Sequence, residues 1–275
     1  MQASIWPWND RTGRFSLLRF SVFVALVAPL LWIVLQAFAH GLGPRPTTES
    51  IHQTGLWAIR FLAVTLAITP LRNATRFARL AAIRRMVGLA VLFSFNGFSI
   101  ALGLASLAIV AVYPLMKRVT SWPQAVLGLA FSWGALMGWA ASYGALAPPA
   151  LLLYASAFCW TIGYDTIYAL QDARDDAIVG IKSTARLFGA HARLGVGLFY
   201  LLTALLAQGA LLWVGAGFVA EIGWAAYCAH LVWQVSQVDG ASPATALKLF
   251  RSNRDAGLIL FLGIALEGWL RGAMA

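Results

Sequence analysis

Long apolar runs constrain the fold of this chain more than any other feature of its sequence. Of its 275 residues, 60% are hydrophobic and 11% are charged, and several apolar runs extend for about 18 residues or more, long enough to cross a bilayer as a helix. Because lipid offers no hydrogen bonds to the backbone, a spanning segment must satisfy its own. The sequence therefore predicts an all-α, polytopic integral membrane protein, folded as a helical bundle in the lipid bilayer.

The basic residues indicate how the chain lies in the membrane. The formal net charge of +10 could suggest a nucleic-acid partner. The cations, however, lie in short clusters between apolar runs, as they do in cytoplasmic loops. These clusters fall at residues 72–85, 117–118, 174–193 and 248–254. We therefore expect no nucleic-acid partner, a multi-pass topology in a bacterial inner membrane, and all four clusters on the cytoplasmic side.

The apolar runs and the breaks between them predict nine helical segments. If Arg85 and Lys117 lie on one side, the run at 86–112 must turn, and Asn96-Gly97 is its strong breaker. The first arm of this hairpin, 85–95, is shorter than the roughly 20 residues of a span. We therefore expect this helix to begin before Arg85. The predicted segments are 17–38, 54–69, 85–95, 98–114, 124–143, 149–166, 192–213, 217–235 and 256–272, with a loop at 236–255.

One short stretch, from Asp165 to Asp176, concentrates the acidic residues. It holds four of the ten acidic residues of the chain. On a helix, Asp165, Tyr168, Asp172 and Asp175 or Asp176 recur on one face. Carboxylates packed this densely repel one another, and a divalent cation is a natural counter-charge, with hard oxygen ligands favouring Mg²⁺ or Ca²⁺. The alternative is a solvated acidic loop between membrane helices.

A set of short motifs follows Val91. They are Asn96, the stretches 113–118 (YPLMKR), 122–124 (WPQ), 127–128 (LG), 164–176 and 180–185 (GIKSTA), and Asn253. With these motifs, residues 91–275 resemble the UbiA superfamily of intramembrane prenyltransferases, most closely its 4-hydroxybenzoate polyprenyltransferases. The resemblance implies Mg²⁺-dependent transfer of a polyprenyl group from its diphosphate to 4-hydroxybenzoate, a step of ubiquinone biosynthesis.

The same resemblance implies roles for individual residues. The implied metal ligands are Asp172 and Asp176. The other implied catalytic residues are Asp165, Tyr168 and Asp175. The implied substrate-binding residues are Lys182, Arg118 and Lys117. Together, the metal and the basic side chains would neutralise the charge that develops on the diphosphate as the allylic C–O bond breaks.

The chain departs from the pattern of this family in one place. Prenyltransferases of this type carry a first aspartate-rich motif, N-D-x-x-D-x-x-x-D, between their second and third helices. Here residues 72–85 hold five arginines and no acidic residue. We therefore expect weak binding of prenyl diphosphate and slow turnover.

A different resemblance covers residues 1–90. Its motifs are 40–43 (HGLG), 51–55 (IHQTG), 66–71 (LAITPL) and 84–89 (RRMVGL). They resemble the haem-binding membrane subunit of the methionine sulfoxide reductase system, which implies histidine ligands to haem. The histidines of the chain are His40, His52, His191 and His230. The predicted domains are thus 1–90 and 91–275, and two alternative functions stay open: a haem-binding electron-transfer subunit, and a non-catalytic chimeric remnant.

Overall fold

The computed structural model of the chain describes residues 8–9, 14–39, 41–43, 45–76, 80–238 and 242–274, and nearly all of them are helical. The α-helices are α1 Leu17–Phe38, α2 Pro46–Thr75, α3 Leu80–Phe93, α4 Gly97–Val119, α5 Pro123–Phe131, α6 Trp133–Tyr143, α7 Pro148–Leu170, α8 Ala173–Val179, α9 Thr184–Phe188, α10 Ala192–Trp213, α11 Phe218–Gln237 and α12 Pro243–Met274. A short 3-10 helix, Gly189–His191, joins α9 to α10. The predicted all-α class is confirmed.

Among the described residues, six helical stretches are long and apolar enough to cross a membrane by their length and composition. They are Leu17–Phe38, Pro46–Thr75, Gly97–Met116, Pro123–Tyr143, Thr184–Trp213 and Pro243–Ala273. Between 6 and 39% of the residues in their apolar windows are buried inside the protein, so much of their apolar surface is left to face lipid. The prediction of a multi-pass membrane protein is confirmed.

Each predicted segment contains an α-helix, but the second and the last helices are longer than predicted. The second begins at Pro46 rather than near Thr54. The helix predicted to end at Pro70 continues to Thr75. Although Pro70 has no amide hydrogen to donate, Ile68 beside it packs in an apolar core with α3, and this packing outweighs the local preference. The predicted loop at 236–255 is also shorter, because α12 begins at Pro243, where the Ser242 hydroxyl accepts a hydrogen bond from the amide of Thr245.

The predicted turn at residues 94–97 is present between α3 and α4. Asn96 makes it stable: its carboxamide oxygen accepts from the amide of Ser99 at 2.9 Å, which caps the start of α4. Its carboxamide nitrogen donates to the carbonyl oxygens of Ala140 and Ala141 at 2.8 and 3.1 Å. The first arm, α3, has 14 residues and does extend back beyond Arg85, as predicted.

The chain forms two compact units. The first consists of residues 1–103 and 137–146, and its core joins α2 to α3 through Ala58, Phe61, Ile68, Ile83, Val87, Ala90 and Val91. The second consists of residues 104–136 and 147–275. Its core is formed by α7, α10, α11 and α12, through Ile167, Val196, Tyr200, Tyr227, Leu231, Val238, Ala246, Leu249 and Ala256.

Candidate functional site

The acidic segment lies entirely in the second unit, where α7 passes into α8. The face that these residues would share on one helix is interrupted, because α7 ends at Leu170 and α8 begins at Ala173. At the break, the Gln171 amide donates to the Tyr168 carbonyl, a tighter turn than that of an α-helix. Asp172 occupies the N-cap position of α8, and its side chain makes no capping hydrogen bond.

The metal-binding pair predicted by the resemblance, Asp172 and Asp176, lies one helical turn apart. The Asp176 amide donates to the Asp172 carbonyl at 2.8 Å, which places the two residues one turn apart at the start of α8. Asp172 and Asp175 are exposed, whereas Asp165 and Asp176 are half-buried. Asp172 and Asp175 are thus accessible to a ligand from solvent, and Asp165 and Asp176 are accessible in part.

Aromatic rings surround the last turns of α7. The Tyr168 ring is 39% exposed and its centroid lies 4.6 Å from that of Phe250 on α12. The Tyr164 ring packs against Phe250 at 5.9 Å and edge-on against Trp160 at 5.7 Å. Asp165 lies within electrostatic range of the Tyr164 hydroxyl. This aromatic wall places Asp165 and Tyr168 beside an apolar surface.

Buried hydroxyl and amide groups anchor the segment after α8. Gly180 ends α8 with φ of 79°, a conformation that glycine adopts without strain. Beyond it, the Thr184 hydroxyl lies 2.6 Å from that of Thr166 on α7. The Thr184 amide donates to the side-chain oxygen of Gln124 on α5 at 3.1 Å. Gln124, Thr166 and Thr184 are all buried, so both ends of the acidic segment are attached to the packed helices.

The structure brings two of the predicted substrate-binding regions together. Lys182 is exposed, and its ammonium donates to the carbonyl oxygen of Val119 at 3.2 Å. Val119 is the last residue of α4, directly after Lys117 and the exposed Arg118. A cation at the C-terminus of a helix also stabilises it. Lys182 therefore has a local structural role, and its contact with a diphosphate stays a prediction.

A buried polar network lies next to the aromatic wall and links four helices. The Tyr200 hydroxyl donates to the Gln234 side-chain oxygen at 2.6 Å, and Gln234 donates to the Ser252 hydroxyl at 3.0 Å. The Trp160 indole donates to the Asn253 carboxamide oxygen at 2.9 Å. Because buried polar groups are costly when unpaired, this network fixes how α7, α10, α11 and α12 pack.

The prediction of Mg²⁺ rests on the chemistry of the donors. Within the described part of the chain, no three His, Cys, Asp or Glu side chains come together as a metal site. Mg²⁺, however, is commonly held by one or two carboxylates together with substrate phosphates and water. The accessible Asp172 and Asp176 pair fits that mode of binding, in which the substrate supplies the remaining ligands.

Three of the four histidines lie among the described residues. His40 lies outside the described residues. The Nδ1 atom of His52 lies 3.3 Å from the Ser142 carbonyl oxygen, and the Nε2 atom of His230 lies 3.3 Å from the Ser252 hydroxyl. His191 is exposed at the end of the 3-10 helix. Haem ligation by any of them stays a prediction.

Several residues of the site were in the quoted motifs but received no role from sequence reasoning. Gln124, Thr166, Thr184 and Asn253 form the anchoring contacts described above. The available signal was their polarity within apolar segments, since polar groups at membrane depth are rare and usually have a specific partner. The partners themselves are distant in sequence, so only the fold reveals them.

Comparison with known proteins gives the family and the fold of the chain. A model of the UbiA prenyltransferase family matches residues 60–254, which begins before the Val91 boundary expected from the motifs. Two solved structures share the fold. One is the apo structure of a UbiA homologue from Aeropyrum pernix K1, with a TM-score of 0.56 and 19% identity over 90% of this chain and 98% of that one. The other is described as digeranylgeranylglyceryl phosphate synthase, with a TM-score of 0.53, 13% identity and the same coverage.

Several named proteins are more similar to this chain in sequence than the two solved structures are. The 4-hydroxybenzoate polyprenyltransferase of Aedes aegypti is 47% identical over 193 residues, 68% of this chain and 42% of that protein. Those of Arabidopsis thaliana and Homo sapiens are 44% and 46% identical, over 67% and 66% of this chain and 46% and 49% of those proteins. All three are described as mitochondrial, so the bacterial inner membrane stays a prediction. The chain spans about half the length of the curated relatives it matches.

Proposed function

The chain belongs to the UbiA prenyltransferase family, and on this premise we propose that it is an intramembrane aromatic prenyltransferase. Its substrates would be a polyprenyl diphosphate and 4-hydroxybenzoate, and the reaction would require Mg²⁺ and serve ubiquinone biosynthesis. The observation that supports this most is the accessible Asp172 and Asp176 pair, one turn apart, within the stretch that matches the family.

The acidic segment would bind the diphosphate end of the lipid. Asp172 and Asp176 would hold Mg²⁺, with Asp165 and Asp175 adding negative potential that favours the cation. When bound, Mg²⁺ neutralises the diphosphate oxygens and so makes the diphosphate a better leaving group. The buried contact between Thr166 and Thr184 would hold the segment in place, since misplacement by about 1 Å costs much of the rate.

The basic residues would compensate the remaining charge. Lys182, near the end of α4, and Arg118 and Lys117 within that end would face the phosphates or the carboxylate of the aromatic acid. As the allylic C–O bond breaks, its electron pair passes to the diphosphate, and cations preorganised near that oxygen stabilise the charge. The ring carbon beside the hydroxyl of 4-hydroxybenzoate then bonds to the allylic carbon, and the ring releases its proton to solvent.

The proposed activity is impaired by the sequence of residues 72–85. The family's first aspartate-rich motif would supply further carboxylates to the diphosphate site, and this stretch has five arginines and no acidic residue. Arginines can attract a diphosphate, but they cannot hold Mg²⁺. We therefore propose that the chain binds its lipid substrate weakly and transfers it slowly.

A transfer assay on membranes that contain this protein as their only prenyltransferase tests the proposed function. With polyprenyl diphosphate and 4-hydroxybenzoate, we expect a slow, chelator-sensitive formation of prenylated 4-hydroxybenzoate. The double variant Asp172→Asn/Asp176→Asn should form none. Product formation that is unchanged in the double variant would refute the assigned site, and the absence of product from the parent would favour the non-catalytic alternative.

The haem alternative has its own direct test. It rests on the resemblance of residues 1–90, which include His52, whose ring packs 5.5 Å from Tyr143. A haem protein purified with its cofactor shows a Soret absorption band. We expect no such band here, and its presence, together with loss of the band in His52→Ala, would favour the electron-transfer function.

A further inference from the structure

Two adjoining cavities lie between α10 and α11 in the second unit. Their volumes are about 450 and 520 Å³. Both are lined by Arg193, Gly197, Leu201 and Val235, so they form one continuous surface feature, which we call the α10–α11 groove. None of the carboxylates of the acidic segment lines it, so it is distinct from the candidate diphosphate site.

Most of the α10–α11 groove is lined by carbon. Leu201 and Leu205 of α10 face Cys228 and Val232 of α11 across it. The two polar groups on its aromatic residues already have partners. The Trp224 indole donates to the Ala204 carbonyl at 3.1 Å, and the Tyr200 hydroxyl donates to Gln234. These walls suit a hydrocarbon chain and offer little to a polar ligand.

Gly197 provides the depth of the groove. A Cβ atom at this position would lie 3.5 Å from the Cγ1 atom of Val235, which is ordinary van der Waals contact. A small side chain would therefore be tolerated, whereas a larger one would occupy the groove. This makes residue 197 a place where the groove can be filled without a change in charge.

One end of the groove is cationic. Arg193 lines both cavities and His191 lines the second, and both side chains are exposed. Within the described part of the chain, neither makes an ion pair or a side-chain hydrogen bond. No acidic residue is among the described residues that line the groove. A guanidinium in this setting complements a phosphate.

The length of the groove matches one leaflet of a bilayer. From Arg193 to Leu205, twelve residues along α10 rise about 18 Å at about 1.5 Å per residue. Half of a hydrocarbon core of about 30 Å is about 15 Å. A chain that begins at a headgroup beside Arg193 would therefore end near Leu205, at the middle of the membrane.

We propose that the α10–α11 groove binds an anionic phospholipid of the bilayer. Its phosphate would contact Arg193, with His191 beside it, and one acyl chain would lie along Gly197, Leu201 and Leu205. The single-leaflet length and the cationic end favour a phospholipid over the longer polyprenyl chain. The inference does not depend on the proposed transfer reaction.

Native mass spectrometry of the full chain tests the proposal. The protein would be released from detergent in an equimolar mixture of phosphatidylglycerol and phosphatidylcholine with identical acyl chains. We expect the parent to retain phosphatidylglycerol preferentially, and Arg193→Gln to lower that preference about tenfold, the value of one charge-assisted hydrogen bond. Gly197→Leu should reduce the retention of both lipids. Arg251→Gln, at an exposed arginine of α12 outside the groove, is the matched control and should change neither.

Three results would overturn the proposal. The first is an equal lipid preference in the parent and in Arg193→Gln. The second is full retention of both lipids when the groove is filled, either by Gly197→Leu or, if that variant does not fold, by Leu201→Trp at an exposed position. The third is displacement of phosphatidylglycerol by equimolar polyprenyl diphosphate in the parent but not in Arg193→Gln, which would assign the groove to the substrate.

Discussion

The hydroxyl oxygens of Thr166 and Thr184 lie 2.6 Å apart, and neither side chain is exposed. Thr166 follows Asp165 on α7, and Thr184 begins α9, the next helix after the one that carries Asp176. The acidic segment is therefore a loop and short helix closed by a buried hydrogen bond. Any change that opens this contact should loosen the carboxylates without altering their number.

Thr166→Val tests this closure. Valine has nearly the same shape but no hydroxyl, so the buried Thr184 hydroxyl loses its partner, which costs about 1–3 kcal/mol. We expect a lower melting temperature in lipid nanodiscs and weaker binding of prenyl diphosphate. Thr65→Val is the matched control, because the Thr65 hydroxyl donates to the Phe61 carbonyl of its own helix rather than to another helix segment. Equal stability of the two variants would contradict the closure.

Gly163→Ala tests the packing beneath Asp165. A Cβ atom at Gly163 would clash with the Cε1 atom of Tyr200, a buried ring held by its hydrogen bond to Gln234. Because the ring cannot move away easily, α7 must shift, and we expect a loss of about 1–3 kcal/mol of stability. In Gly209→Ala the new atom meets only the Leu152 side chain at 3.6 Å. The Gly209→Ala control should be as stable as the parent or more stable. A similar loss of stability in both variants would show that the contact between Gly163 and Tyr200 is not the cause of the loss.

Asp172→Asn and Asp176→Asn test the assigned metal ligands. Mutation of a residue that merely hydrogen-bonds to a metal ligand typically lowers metal affinity by about 10–100-fold. Removal of the charge of a ligand itself should therefore weaken Mg²⁺-dependent diphosphate binding at least about tenfold. The control is Asp255→Asn. In the parent, the Asp255 carboxylate pairs with Arg254 on the surface of α12. Isothermal titration with and without Mg²⁺ measures the difference. Equal binding by Asp172→Asn and the parent would refute this assignment.

Single-cysteine labelling tests the predicted sidedness. In a background without Cys159 and Cys228, we expect cysteine at position 117 and at position 178 to react from the cytoplasmic side. Position 178 lies on α8, where Ile178 is 85% exposed. Cysteine at position 214, after α10, should react from the other side, because α10 has the length of a membrane span. Labelling of position 117 from outside only would invert the predicted topology.

Much of the helical framework could be predicted from sequence, because length, hydropathy and strong breakers are local properties. The turn at Asn96 is an example, although its bonds to Ala140 and Ala141 were not predictable. The failures at Pro70 and at the start of α12 have different causes. At Pro70, packing of α2 against α3 outweighed the local preference. At α12, local start signals were overlooked, namely Ser242 at the N-cap and Pro243 at the first helical position.

The candidate site was predicted less completely. The crowding of Asp165, Asp172 and Asp176 is visible in the sequence, but the break between α7 and α8 is not, since no glycine or proline marks it. The contact between Lys182 and Val119 joins residues far apart in the chain, and hydropathy carries no information about such pairs. The same is true of the Thr166 and Thr184 contact.

The rate of prenyl transfer, measured with and without a first aspartate-rich motif, tests the central claim most directly. We predict that the chain prenylates 4-hydroxybenzoate at least about a thousandfold more slowly than an intact relative, equivalent to about 4 kcal/mol of lost transition-state stabilisation. Replacement of residues 72–85 by an N-D-x-x-D-x-x-x-D loop with a full third helix should recover part of that rate. Turnover by the unaltered chain at the rate of the intact relative would contradict the claim and show that the segment from Asp165 to Asp176 is sufficient.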